Sequence, residues 1–297
     1  MHQKSEHNNG QSSKHIRYAF FLNLAFTIIE FVGGILTNSM AILSDAIHDL
    51  GDSITLGLAW YFQKVATKGR NEKYTYGYKR FSLLGAIINS IILTLGSILI
   101  LIETIPRIIN PEVADAKGMI WLAIIGIIAN GAAVLRLKKG NSINEKVVSL
   151  HLLEDVLGWI AILIGSIIMY FFDIPIIDPL LSIGISIYIL VHVFRNISET
   201  IRIFLQGSPE NIDQENLREN LTKVEGIREI HDLHLWTVDG NYHVATMHVV
   251  TENNINMEEM ALLKNEIREK LDAMQIHHAT IEFESIEEKC AMEHCSL

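Results

Sequence analysis

Six long runs of apolar residues fill the first two-thirds of the chain, at roughly 16–37, 40–64, 80–105, 117–137, 146–172 and 176–200. A helix needs about 20 mostly apolar residues to cross a bilayer core, and each run has that length. Apolar positions recur all round each predicted helix and the links are short. Both features disfavour six buried helices of a soluble bundle. The first run follows the polar segment MHQKSEHNNGQSSKH. It is too long for a signal core and lacks a small-residue cleavage site, so it reads as a span. From Gly207 the period changes. Asp213–Val224 predicts an amphipathic helix, Ile227–Val238 a strand, Asp239-Gly240 a hairpin turn and Tyr242–Val250 a second strand. Met257–Ala273 predicts a second helix and Ala279–Phe283 a third strand, an order that suggests an open α+β sandwich. The expected organisation is a polar tail (1–15), a six-helix transmembrane domain (16–206) and a small α+β domain (207–297).

Composition supports this division. Hydrophobic residues make up 49 % of the 297 positions and charged residues 20 %, with mean hydropathy +0.26, which excludes disorder for most of the chain. Two cysteines exclude a disulfide scaffold. The net charge of −10 is uneven, because residues 207–297 hold 7 basic and 19 acidic side chains while 16–206 is nearly neutral. An apolar body with an acidic tail domain argues against nucleic-acid binding. Lys and Arg collect in the N-terminal segment (Lys4, Lys14, Arg17), in the second link (Lys64, Lys68, Arg70, Lys73, Lys79, Arg80) and in the fourth (Arg136, Lys138, Lys139, Lys146). The alternate links carry only Arg107 and Lys117, so both termini are expected in the cytoplasm.

Against this apolar background certain charges stand out. An Asp at a spanning-helix centre costs about 2.5–3.5 kcal/mol on insertion scales, so an intramembrane carboxylate is a functional candidate by default. The second run contains SDAIHDLGDS and the fifth HLLED. His48 with Asp52, and His151 with Asp155, repeat one spacing, and residues four apart share a helix face. Two such helices facing one another supply two nitrogens and two oxygens around one point, the tetrahedral set that zinc prefers, with two carboxylates offsetting a divalent charge. Asp45 lies one turn before His48 and suits either a supporting role or the place of a ligand, whereas Asp49 points about 100° away, toward a helix contact or an aqueous cavity. Asn23, Glu30, Asn89 and Asn130 read as helix bridges, and Gly33-Gly34 and Gly131-Ala132-Ala133 as small faces for close packing.

At these residues the chain resembles the cation diffusion facilitator family of divalent-metal/proton antiporters. The resemblance rests on NLAFTIIEFVGGILTNSMAILSDAIHDLGDS, YGYKRFSLLGAIIN, HLLEDVLG, DPLLSIGISIYI and HDLHLWTV, and covers nearly the whole chain. It places the family's transport site on His48, Asp52, His151 and Asp155. A His at the first of these positions resembles the zinc-type members. The fourth link, KKGNSIN, is short and free of His, which suggests a bacterial inner-membrane protein. The second link has no His or Asp counterpart to the additional site that some members carry there. The resemblance also implies a ferredoxin-like cytoplasmic domain and a homodimer.

In the tail domain, His231 and His248 can face one another across the hairpin and Glu284 can reach them from the third strand. These three match the family's regulatory zinc site, and His277 offers a fourth ligand. Cys290, His294 and Cys295 form a looser group of soft donors. The expectation is therefore a transporter, not an enzyme: zinc, and divalent cations such as cadmium or cobalt, leave the cytoplasm in exchange for protons, with zinc as substrate and as regulatory ligand. Imidazole is the side chain that titrates between pH 5 and 8, which suits the two histidines to proton uptake on release of metal. An intramembrane metalloenzyme on the same residues and a passive divalent-cation channel are the alternatives. The first needs an open coordination position and a base, for which Glu154 is a candidate, and the second needs weak sites.

Overall fold

A computed structural model describes residues 21, 23–66, 68–137, 143–252 and 255–286. Six helices come first: α1 (Asn23–Thr37), α2 (Met40–Ala66), α3 (Phe81–Ile109), α4 (Ala116–Leu137), α5 (Ile143–Phe172) and α6 (Ile177–Phe204). The tail follows as α7 (Gln214–Thr222), β1 (Ile227–Thr237), β2 (His243–Thr251), α8 (Met257–Ala273) and β3 (Ile276–Glu284). By its contacts the chain divides into two compact units. One holds the described residues of Met1–Lys64 and Leu84–Ile197, the other those of Val65–Leu83 and Ser198–Leu297.

Among the described residues three helices are long and apolar enough to cross a membrane, within Phe81–Ile109, Leu152–Phe172 and Ile177–Phe204. The apolar parts of α1 and α4 are shorter, and α2 carries Asp45, Asp49 and Asp52 through its middle. Large apolar side chains such as Ile98, Leu99, Ile102, Phe171 and Phe194 are exposed along these helices, as expected of a surface that faces lipid.

The interior of the helical unit is built around Trp159 on α5, which is 1 % exposed and meets Phe26 edge-on at 6.1 Å. Gly126 on α4 makes room for it, since a Cβ there would lie 2.4 Å from the indole. Gly126→Ala is therefore expected to cost about 1–3 kcal/mol, because a buried indole cannot move aside. Thermal unfolding of the purified protein checks this, with a native transition temperature as the contrary result. Gly33 and Gly34 fulfil the close-packing expectation, for a Cβ on either would collide with Leu122 or Leu43. Gly131 does not. It has open space beside it, so its lack of a side chain serves no helix contact among the described residues.

In the tail unit, α7 starts at Asp213, whose carboxylate accepts from the Glu215 N–H, and α8 starts with a reciprocal capping box between Asn256 and Glu259. The sheet order is β1-β2-β3, with β1/β2 antiparallel and β2/β3 parallel. Leu217, Leu221, Ile267 and Leu271 pack on Ile230, Met247 and Val249 to form the core. At the hairpin Gly240 takes φ +91°, and the Asp239 carboxylate accepts from the Asn241 and Tyr242 N–H groups at 3.0 and 2.8 Å.

Candidate metal centres

Two groups of candidate metal ligands lie in separate parts of the fold. The first lies in the helical unit. His48 Nε2 and Asp52 Oδ2 sit one turn apart on α2 at 3.7 Å, with side chains 20 % and 22 % exposed. Asp45 and Asp49 on the same helix are buried, at 7 % and 3 %. Asp45 lies within electrostatic reach of Asp155 on α5 as well as of Asp49 and Asp52. Its Oδ1 aims at the α5 backbone, where a Cβ on Gly158 would be 3.7 Å away. The Asp45 side of α2 therefore looks onto the helix that carries the second His–Asp pair. The backbone of His151 stands on α5 four residues before Asp155, on the same face. Its side chain lies outside the described residues, as do the residues 287–297 that hold Cys290, His294 and Cys295.

Two neighbours complete this region. Asn23 on α1 donates to the Asp49 carbonyl and to Ser53 Oγ, both at 3.1 Å, which is the helix bridge expected of it. Glu30, also on α1, is only 1 % exposed and close to Asp49, Asp45 and Asp155, so it belongs to the acidic cluster. Glu154 is exposed and accepts from Tyr188 Oη at 3.2 Å.

The second group lies in the tail. β1 and β2 pair so that His231 stands directly opposite His248, with ring centroids 5.2 Å apart. The Glu284 carboxylate, 6 % exposed, reaches both: His248 Nδ1–H donates to Oε1 at 2.6 Å, and Oε2 is 3.2 Å from His231 Nε2. One donor atom from each of the three lies within 4.8 Å of the others. Asp232 joins them unexpectedly. The β1/β2 register slips between His231 and His234, Asp232 takes φ +49°, and its Oδ2 comes to 3.6 Å from His248 Nε2. This is a β-bulge, which turns a residue toward the face that strict alternation denies it. Glu282 Oε2 is 3.5 Å from the same nitrogen, and Asp232 Oδ1 is 3.1 Å from His234 Nε2. Donors bound tetrahedrally at zinc lie roughly 3.3 Å apart, so a group spaced in this way fits such an ion.

His277 requires a correction. It lies on β3 seven residues before Glu284, about 23 Å away along a strand at ~3.3 Å per residue, and cannot complete this group within the chain. Its ring instead stacks on Tyr242 at 5.1 Å, and its Nδ1 accepts the His243 N–H at 3.4 Å. Burial first, and the neighbouring His277 second, push the buried His243 imidazole below its ordinary range.

Sequence comparison agrees with this two-part arrangement. Residues 16–205 match the family described as the cation efflux transmembrane domain, and residues 209–286 match the cation efflux protein cytoplasmic domain. The chain belongs to the cation diffusion facilitator family. It is 35 % identical over 283 residues to a "Cadmium, cobalt and zinc/H(+)-K(+) antiporter" of Bacillus subtilis, a match covering 94 % of this chain and 91 % of that protein. It is 31 % identical to the "Metal cation efflux system protein CzcD" of Cupriavidus metallidurans, over 93 % of this chain and 87 % of that one. The "Zinc transporter ZitB" of Pectobacterium atrosepticum is 33 % identical, over 98 % and 90 %. The chain is thus a membrane-embedded metal-cation transporter and not an enzyme, and a homodimer fits its cytoplasmic domain.

Proposed function

We propose that this transporter exports zinc, and with it divalent cations such as cadmium or cobalt, from the bacterial cytoplasm in exchange for protons. The observation that carries this reading is the approach of Asp45 on α2, one turn before His48, to Asp155 and Gly158 on α5 inside an apolar body. The substrate site is His48, Asp52, His151 and Asp155, with Asp45 and Glu30 behind it. Helices α1–α6 are six spans of a domain running from 16 to 206, with both termini in the cytoplasm of the inner membrane. Zinc binds neutral imidazole and ionised carboxylate, so loading expels protons and protonation on the far side releases the ion. Rocking of helices about the site exposes it to each side in turn.

The tail, residues 207–297, dimerises and senses metal. His231, His248 and Glu284 hold a zinc ion there, with Asp232 and Glu282 in reach. The ion ties β1, β2 and β3 together and biases the dimer toward one state.

Proteoliposomes with an imposed pH gradient test the exchange. Zinc flux should rise when protons are concentrated on the side to which zinc is delivered, and fall when the gradient is collapsed. Flux indifferent to the gradient would favour a passive channel and overturn the reading.

A further inference from the structure

α2 carries half of the proposed substrate site, and its position is set from one end by a single carboxylate. Asp178, in the first turn of α6, is 2 % exposed. Its Oδ2 accepts the Met40 N–H at 2.8 Å, and its Oδ1 accepts the Ala41 N–H at 3.2 Å and the Ser39 hydroxyl at 2.6 Å. Ser39 Oγ in turn accepts the Ile42 N–H at 3.1 Å. These N–H groups are the unsatisfied donors that every helix N-terminus presents. Two helix N-termini, that of α2 and that of α6 itself, thus converge on one negative charge, which both dipoles favour. One turn further along, the Ser44 and Ser186 hydroxyls meet at 2.9 Å and hold the same register.

We infer that Asp178 is the positioning residue of the transport site, which it serves through α2 without touching metal. The contact has two points, so it defines both height and rotation. Moving the carboxylate by one donor along α2 would shift the helix by about 1.5 Å and turn it by about 100°. His48 and Asp52 begin about 12 and 18 Å along the same rigid axis and would swing away from α5. This inference rests on the assignment of His48 and Asp52 to the substrate site.

The test is transport by the full chain in proteoliposomes, read as KM and Vmax for zinc and for cadmium. Asp178→Asn keeps the size of the side chain but removes the charge and sets an amide donor against an N–H. The KM for zinc should rise by about tenfold or more, the range typical when a group that orients metal ligands is lost. The ratio of zinc to cadmium KM should change, because a displaced cage no longer matches the smaller ion, and Vmax should change less. Ser39→Ala should move both in the same direction by a smaller factor, and keeps the question open to measurement if Asp178→Asn does not fold. Asp52→Asn is the control. If it transports zinc normally, the site assignment fails and this inference with it. If it is inactive while native KM values and a native zinc-to-cadmium ratio persist in Ser39→Ala and in any Asp178→Asn that folds, the positioning role alone is overturned.

Discussion

Asp52→Asn and Asp155→Asn are each expected to bring zinc transport close to zero in a protein that still inserts and folds. The amide keeps the size and shape of the carboxylate, so packing against α2 or α5 changes little. What is lost is one of the charges that offset a divalent ion in a medium of low dielectric. Several kcal/mol of affinity should go with it, and about 1.4 kcal/mol is already a factor of ten. Removing an intramembrane charge does not hinder insertion, so protein amount and dimer content should match the native chain. His48→Asp should behave differently. It keeps a ligand but makes the site richer in oxygen, which shifts preference from zinc toward harder cations. Zinc uptake into vesicles at matched protein amounts decides the matter. Native exchange in both Asp52→Asn and Asp155→Asn would exclude the four-residue site.

The parts of this molecule legible in its sequence are those that the bilayer or a local spacing dictates. Apolar runs announce the helices, because a spanning segment must satisfy its own backbone and show lipid-compatible side chains. His48 and Asp52 announce themselves because charge is costly there and because four residues make one turn. The hairpin at Asp239-Gly240 and the facing of His231 and His248 follow from strand alternation. Alternation fails at Asp232, where a bulge with positive φ redirects the side chain. His277 fails for a different reason: it lies within β3, so its closeness to Glu284 in sequence becomes distance along the extended strand. Gly131 shows the same limit from the other side: a small residue signals close packing only where a neighbour comes near, and none of the described residues does. Asp178 reads as an ordinary N-terminal acid of α6. Its partners lie 137 to 139 residues away, a distance no local pattern can convey.

Replacing His231 and His248 together by Ala is expected to lower the zinc bound per purified full-length chain by about one ion, the occupancy of a single coupled site. The two imidazoles supply the nitrogen donors on either side of Glu284. Without them a buried carboxylate remains that must share its ion with water. Asp232→Asn should weaken the same ion without removing it, since its oxygen stands at 3.6 Å from His248 Nε2 at the edge of the group. His277→Ala should leave the stoichiometry unchanged, because its ring is engaged with Tyr242 and His243 at the other end of the strand. Metal analysis after gel filtration reads all three results. Transport should persist in the double variant, since the proposed substrate ligands lie wholly on α2 and α5, while its dependence on zinc concentration should shift as the proposed bias from the tail is lost. Equal zinc content in the native chain and the double variant would make the tail histidines a solvated surface, and would remove the sensor from the mechanism.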